Sequence, residues 1–139
     1  MPEAGTPPVK EADVVKKTRI LAVDDDEYVL QFLKRALTYE GFSVTTATDG
    51  KSALALLSKS HPEIVLLDVM MPGLNGYQVL ERIRKFSSVP VLMLTGTREE
   101  DALVRSFNLG ADDYVRKPFV TGVLVARIQA KLRRAYNLT

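Results

Sequence analysis

Polar side chains able to bind a metal ion and a phosphoryl group directly follow four short apolar runs of this chain. These polar residues are Asp24 and Asp25, Asp68, Thr95 and Lys117. Oxygen ligands without nitrogen or sulfur suit a hard cation such as Mg²⁺ or Mn²⁺. A carboxylate can also attack phosphorus, with a hydroxyl and an ammonium holding the phosphoryl oxygens. The five side chains form one site if the runs are neighbouring strands.

The apolar runs before these residues are typical of strands buried on both faces of a parallel sheet. They are Ile20–Val23, Ile64–Leu67, Val91–Leu94 and Tyr114–Arg116. In such sheets, ligands bind outside the carboxyl ends of the strands. The pattern therefore predicts an α/β fold whose strand ends carry the chemistry.

Helical patterns alternate with the strands five times, and Phe42–Ala47 adds a further strand. The predicted helices run from about Glu27 to Glu40, from Gly50 to before Pro62, from after Gly76 through Phe86, from Glu99 to Leu109 and from about Thr121 to Tyr136. Phe32 and Phe86 are expected on the inward faces of the first and third helices. Short right-handed crossovers then cover both faces of the sheet.

The length and composition limit the classes of protein to which this chain can belong. At 139 residues, with 46% hydrophobic and 26% charged residues, the chain is one ordinary globular domain. Its apolar stretches are too short for a membrane span, so we expect a cytoplasmic protein without a membrane partner. The absence of cysteine excludes disulfides, and a single histidine, His61, disfavours a zinc site or a His-based triad. A net charge of +2 is too small to indicate nucleic-acid binding.

The ends of the chain differ from its centre. Residues 1–17 carry three prolines and a glycine with little periodicity, which predicts a flexible N-terminal tail. Residues 18–136 form the predicted domain. Residues 137–139 are expected to begin a linker or to be the C-terminus.

Each candidate residue also has an ordinary structural interpretation. Asp68 suits a turn, Thr95 the end of a strand, Lys117 a solvated surface, and an acidic run before a helix often caps it. We assign that cap to Asp26 and Glu27. Carboxylates crowded at a buried strand end repel one another unless a cation lies among them. We therefore interpret the set as a cation site with Asp68 as its nucleophile.

In combination, these motifs resemble the receiver domain of two-component response regulators. The motifs are Asp24–Glu27, Leu67–Gly76, Leu94–Gly96 and Gly110–Phe119. The resemblance extends from about Thr18 to Tyr136. It implies a flavodoxin-like (CheY-like) doubly wound α/β fold, with five parallel strands in the order 2-1-3-4-5 and five helices.

The resemblance implies that Asp68 accepts a phosphoryl group from a sensor histidine kinase. It implies Mg²⁺ (or Mn²⁺) bound by Asp25, Asp68 and the backbone carbonyl of Met70, with Asp24 acting largely through water. Such a domain catalyses only its own phosphorylation and autodephosphorylation, so it is not a metabolic enzyme.

The resemblance also assigns the remaining polar residues. Thr95 and Lys117 would hold the phosphoryl group, and Thr95 with Tyr114 would form the conformational switch. Met70 and Thr97, two residues after Asp68 and Thr95, offer no charged group to position a hydrolytic water. We therefore expect a persistent aspartyl phosphate.

Within that family, the chain most resembles the OmpR/PhoB subfamily, in which a winged-helix DNA-binding domain follows the receiver. Phosphorylated receivers of that subfamily form homodimers through the fourth helix, fifth strand and fifth helix. The matching residues here are the apolar Val104, Phe107 and Ala126, the acidic Asp112 and Asp113, and the basic Arg127 and Arg134. Leu103 and Val123 replace a customary ion pair, so an apolar contact or a different partner surface is expected there. DNA would be contacted only through an effector domain outside this chain.

Four alternative functions compete with this interpretation. A stand-alone receiver would act as a phosphorelay or interaction module, and a receiver fold acting constitutively would be a binding module alone. An aspartyl phosphatase needs a second general acid, which Val69 and Met70 do not supply. An FMN-binding flavodoxin-like protein is disfavoured because Asp24–Asp26 would repel the cofactor's phosphate.

Overall fold

The structure is a computed structural model that describes residues 17–96 and 100–135, the side chains of residues 100–102 excepted. The predicted tail, apart from Lys17, and the predicted linker at 137–139 lie outside the described residues. Within the described ranges, no helix is both long enough and apolar enough to cross a membrane.

Five strands alternate with five helices along the described residues. The strands are β1 (Arg19–Val23), β2 (Ser43–Ala47), β3 (Ile64–Asp68), β4 (Val91–Thr95) and β5 (Asp113–Arg116). The helices are α1 (Glu27–Tyr39), α2 (Gly50–Ser60), α3 (Gly76–Arg84), α4 (Glu100–Asn108) and α5 (Thr121–Ala135). The strands form one parallel sheet in the order β2-β1-β3-β4-β5, which confirms the predicted topology.

Successive strand residues point to opposite sides of the sheet, and helices cover both sides, so both faces are buried. Ile20 belongs to a core with the inward residues of α1 and α5, whereas Leu21 belongs to a core with those of α2 and α3. Strands β3 and β4 are buried along their whole length. Hence their sequences are continuously apolar, rather than alternating, up to the polar last residue of each strand.

Phe32 is not a core residue, contrary to the prediction from helical spacing. The buried stripe of α1 consists of Leu30, Leu33 and Leu37, and Phe32 lies beside it with 49% of its surface exposed. Its ring instead lies against Phe119, with the ring centroids 6.2 Å apart. The aromatic pair therefore forms a surface feature.

Phe86 is also wrongly predicted as a core residue, and 62% of its surface is exposed. The third helix ends at Arg84, so helical periodicity no longer directs Phe86 toward the sheet. The fourth helix begins at Glu100, and its predicted first residue, Glu99, lies outside the described residues.

Candidate functional site

The structure places all five predicted polar residues at the carboxyl edge of the sheet. Asp68 and Thr95 are the last residues of β3 and β4. Asp24 and Asp25 follow β1, and Lys117 follows β5. Since β1, β3, β4 and β5 are consecutive neighbours in the sheet, their ends lie side by side.

Three carboxylates form a cluster at this edge. One carboxylate oxygen from each of Asp24, Asp25 and Asp68 lies within 4.8 Å of the other two. Asp24 and Asp68 are buried, with 1% and 3% of their surfaces exposed, whereas Asp25 is exposed. This set offers only oxygen donors and remains open to solvent at Asp25, which fits Mg²⁺ with several retained waters.

The acidic run after β1 is divided between the site and the first helix. Oδ1 of Asp24 accepts a hydrogen bond from the Asp26 backbone N–H at 2.9 Å. The Asp26 carboxylate in turn caps α1 by accepting from the backbone N–H groups of Tyr28 and Val29. Thus Asp26 caps the helix as predicted, and its backbone fixes the orientation of Asp24.

Lys117 joins two of the three carboxylates. Its Nζ donates to Oδ2 of Asp24 at 2.6 Å and to Oδ1 of Asp68 at 2.9 Å. Burial opposes the charged ammonium, but the hydrogen bonds to Asp24 and Asp68 and the charges of these carboxylates together raise the pKa of Lys117 above its ordinary value. Lys117 therefore stays cationic and offsets part of the carboxylate repulsion.

The position of Asp68 at a buried strand end changes its acidity. Burial raises the pKa of Asp68 to about 6, the hydrogen bond from Lys117 opposes the rise, and the charge of Asp24 adds to it. Asp68 is consequently ionised at neutral pH, and it takes up a proton near pH 6.

The loop after β3 is fixed to the strand ends by backbone contacts. The Val69 N–H donates to the carbonyl of Leu94 at 3.0 Å, and the Gly76 N–H donates to the carbonyl of Val69 at 2.9 Å. A Cβ atom at Gly76 would overlap the Asp68 carbonyl oxygen and lie 2.8 Å from Cα of Val69. Met70 lies within this loop with an exposed side chain. The sequence did not reveal the close contact at Gly76.

The two predicted switch residues lie on neighbouring strands. Thr95 is buried, and its carbonyl accepts the Lys117 backbone N–H at 2.7 Å. Tyr114 is half-buried, and its hydroxyl accepts a hydrogen bond from Arg116 at 3.4 Å. Their role as a switch stays a prediction. Thr97, invoked for the lifetime of the phosphate, lies outside the described residues.

The predicted dimer face is apolar and exposed. Val104 is 55% exposed, Phe107 and Val123 are each 46% exposed, and Ala126 is exposed. Leu103 is half-buried. These side chains have the accessibility that a partner surface requires.

Three of the four predicted charged residues of this face, Asp112, Asp113 and Arg127, have partners within the same chain. The Arg127 guanidinium lies 3.1 Å from Oδ2 of Asp113, and Lys131 lies 3.7 Å from the same oxygen. Asp112 binds Arg84 at 2.9 Å. Arg134 is exposed near the end of α5.

An apolar groove of about 490 Å³ lies beside the carboxylate cluster. Its lining residues are Tyr28, Val29, Phe32, Lys117, Pro118 and Phe119. Sequence reasoning missed this groove because it assigned Phe32 to the core.

Comparisons with known proteins agree with this geometry. Residues 20–129 match the response regulator receiver domain family. The chain is 45% identical over 124 residues to the probable transcriptional regulator ycf27 of Porphyra purpurea, covering 89% of this chain and 51% of that protein. It is 47% identical over 118 residues to the transcriptional regulatory protein CseB of Streptomyces coelicolor, covering 85% and 50%. The chain thus spans about half the length of these curated relatives.

Solved structures share the fold. A CheY-like receiver domain protein from Methanospirillum hungatei matches with a TM-score of 0.83 and 30% identity, covering 89% of this chain and all of that one. The BeF3-activated N-terminal receiver domain of Klebsiella pneumoniae RstA matches with a TM-score of 0.81 and 29% identity, covering 84% and 99%.

Proposed function

Because the chain belongs to the response regulator receiver family, we propose that Asp68 accepts a phosphoryl group from a sensor histidine kinase and thereby switches an output surface. Relatives named as transcriptional regulators support the OmpR/PhoB subfamily. The observation that carries the proposal is the contact of Lys117 with a buried Asp68, beside Asp24 and Asp25.

The proposed reaction is a displacement at phosphorus. An Asp68 carboxylate oxygen attacks the phosphorus of a phosphohistidine whose other ring nitrogen is protonated. The phosphorus–nitrogen bond breaks, and neutral imidazole leaves with the electron pair. Asp25, Asp68 and the Met70 carbonyl would hold Mg²⁺, with Asp24 acting largely through water. Bound Mg²⁺ supplies charge neutralisation for the carboxylate and the phosphoryl oxygens.

Lys117 and Thr95 hold the product in this proposal. The Lys117 ammonium, which donates to Asp68 in the structure, is close enough to pair with a phosphoryl oxygen on that residue. The Thr95 hydroxyl donates to a second oxygen and draws its backbone toward the site. Tyr114 then turns inward, so phosphorylation shifts the population toward the active arrangement.

We assign the kinase contact to the apolar groove beside Lys117. Tyr28 is 83% exposed, and Phe32 and Phe119 pair at the surface. Exposing these aromatic side chains does not stabilise a monomer, so the patch is typical of a binding surface. A helix with an apolar face can lie in such a groove and present its phosphohistidine to Asp68. The position of the groove therefore fits the phosphoryl donor.

The output we propose is a phosphorylation-dependent homodimer formed through α4, β5 and α5. Since the relatives are named as transcriptional regulators, we propose that this dimer controls a DNA-binding effector domain. The apolar Met70 side chain positions no water for hydrolysis, so the aspartyl phosphate should persist well beyond seconds in buffer with Mg²⁺.

Intact-mass spectrometry tests the proposal. The protein is incubated with acetyl phosphate in Mg²⁺ or in a chelator, beside Asp68→Ala and a matched Asp26→Asn control that keeps the helix cap. We expect one phosphoryl group on the parent and on Asp26→Asn, only with Mg²⁺, and none on Asp68→Ala. Unmodified parent protein in Mg²⁺ would overturn the proposal.

A further inference from the structure

The helix that follows the phosphoacceptor loop is packed directly onto the phosphoacceptor. α3 begins at Gly76, whose backbone contacts the Asp68 carbonyl so closely that a Cβ atom cannot fit. The Gly76 N–H also donates to the carbonyl of Val69. Any shift of the Asp68 peptide must therefore move the start of α3.

Local contacts hold both the start and the inner face of α3, which favours displacement of the helix as a unit. Its N-terminus has a capping box in which Asn75 and Gln78 satisfy each other's backbone N–H groups. Val79, Leu80 and Ile83 are buried along its inner face. At 1.5 Å per residue, the helix transmits a displacement over about 12 Å, from Gly76 to its last residue.

At the far end of α3, the Arg84 guanidinium binds four groups. Nε donates to the carbonyl of Gly110 at 2.9 Å, and one terminal nitrogen donates to the carbonyls of Val89 at 2.7 Å and Ser87 at 3.2 Å. The other terminal nitrogen donates to Oδ2 of Asp112 at 2.9 Å. Only the planar fork of an arginine reaches all of these acceptors.

Two of those partners lie in the connection between α4 and β5. Gly110, which has φ +102, lies two residues after the end of α4, and Asp112 immediately precedes β5. Oδ2 of Asp112 also accepts the Val91 N–H at 2.7 Å. Arg84 therefore fixes the segment that joins the helix and strand of the proposed dimer face.

A second contact links α3 to α4. The Arg105 guanidinium of α4 lies 4.2 Å from the ring centroid of Tyr77, the second residue of α3. Tyr77 is itself buried, so its position follows that of the helix start. Together, Tyr77 and Arg84 connect both ends of α3 to the α4 region.

We propose that Arg84 is a positioning residue that transmits the state of Asp68 through α3 to Gly110–Asp112. This inference rests on the proposed function of Asp68. It defines a route to the dimer face that is separate from Thr95 and Tyr114, since it passes along α3 rather than through the ends of β4 and β5. Asp112 is thereby oriented by its own chain before it meets a partner protomer.

Hydrogen exchange measured by mass spectrometry tests the route. The parent, Arg84→Gln, Arg84→Lys and a matched Arg82→Gln control are compared with and without acetyl phosphate and Mg²⁺. Arg82 is exposed on the same helix and carries the same charge. Intact mass gives the phosphate content of each sample.

In the parent and in Arg82→Gln, we expect phosphorylation to change exchange at residues 109–112 and at residues 114–117. In Arg84→Gln and Arg84→Lys, with equal phosphate content, the change at 109–112 should be at least fivefold smaller while that at 114–117 persists. If Arg84→Gln does not fold, Asp112→Ala removes one of the four acceptors of Arg84 and should give a partial reduction.

The outcomes separate the two proposals. Absence of phosphate on the parent overturns the function proposed for Asp68. Phosphate on the parent with an unchanged response at 109–112 in Arg84→Gln overturns the Arg84 route alone. Rescue by Arg84→Lys would also overturn it, because charge without the fork would then suffice.

Discussion

Nζ of Lys117 lies 2.6 Å from Oδ2 of Asp24, although the two residues are 93 positions apart in the chain. The contact exists because the carboxyl ends of β1, β3, β4 and β5 share one edge of the sheet. Three carboxylates and one ammonium leave a formal charge of −2 when all are ionised, which a divalent cation balances. The fold thus builds a site whose charge suits Mg²⁺ and which holds the proposed phosphoacceptor, Asp68.

The affinity of this site for Mg²⁺ should fall on acidification through pH 6. Burial raises the pKa of Asp68 to about 6, so protons and Mg²⁺ compete for the same carboxylate below that pH. We expect the Kd to rise by about tenfold per pH unit below the pKa and to change little above pH 7. Calorimetric titrations from pH 5 to pH 8 measure this. A constant Kd across that range would contradict the competition.

Asp68→Asn should stabilise the fold at neutral pH in the presence of a chelator. The pKa of Asp68 is raised on folding, so its contribution to stability is fully present at low pH and is lost as pH rises through about 6. At neutral pH the folded state must therefore bury an ionised carboxylate, which destabilises it. The neutral amide avoids this, so we expect the free energy of unfolding to rise by about 1–3 kcal/mol at pH 7.5. Urea unfolding followed by circular dichroism measures it.

The gain should disappear at pH 4, where Asp68 is already protonated in the folded state. Asp26→Asn makes the same charge change while keeping an acceptable helix cap, so it should alter stability by less than about 0.5 kcal/mol at both pH values. Equal gains for Asp68→Asn at both pH values would refute the electrostatic cause.

Two glycine substitutions should have opposite effects on stability. Gly76→Ala places a Cβ against the Asp68 carbonyl and should lower the free energy of unfolding by about 1–3 kcal/mol. A Cβ added at Gly122, in α5, would meet no described atom within 4 Å. Gly122→Ala should therefore raise the free energy of unfolding by about 0.5–1 kcal/mol. Urea unfolding of both variants decides the matter, and equal effects would show that Gly76 is not tightly packed.

Val104→Asp should prevent the phosphorylation-dependent dimer. Val104 is exposed on α4, so the substitution leaves the core intact but places a charge in the proposed apolar contact. We expect the dimer to weaken at least tenfold in light scattering with acetyl phosphate and Mg²⁺, at unchanged phosphate content. Tyr39→Asp, on the exposed end of α1, is the matched control. Loss of the dimer in Tyr39→Asp alone would place the interface elsewhere.

The positions of the site residues were predictable because each follows an apolar run. A run such as Ile64–Leu67 fixes the end of a strand, and parallel strands bring their carboxyl ends to one edge. Asp68 and Lys117 were therefore expected to lie together despite a separation of 49 residues. Local periodicity and topology carry this information.

The side-chain partners of the loops were not predictable in the same way. From the sequence, Arg84 is simply a basic residue in the last turn of a helix. This placement is common and indicates no particular partner. Its four acceptors come from segments on both sides of β4 in the chain, which only the packed structure brings together. The prediction for Phe32 was wrong for a related reason, since a narrow buried stripe and a neighbouring surface position have similar spacing.

Borohydride trapping tests the central claim most directly. An aspartyl phosphate is reduced by borohydride to homoserine, so peptide mass spectrometry identifies which carboxylate carried the phosphoryl group. After incubation with acetyl phosphate and Mg²⁺, we expect homoserine at position 68, with Asp24 and Asp25 unchanged. Homoserine at either of those two residues, or at none of the three, would contradict Asp68 as the phosphoacceptor.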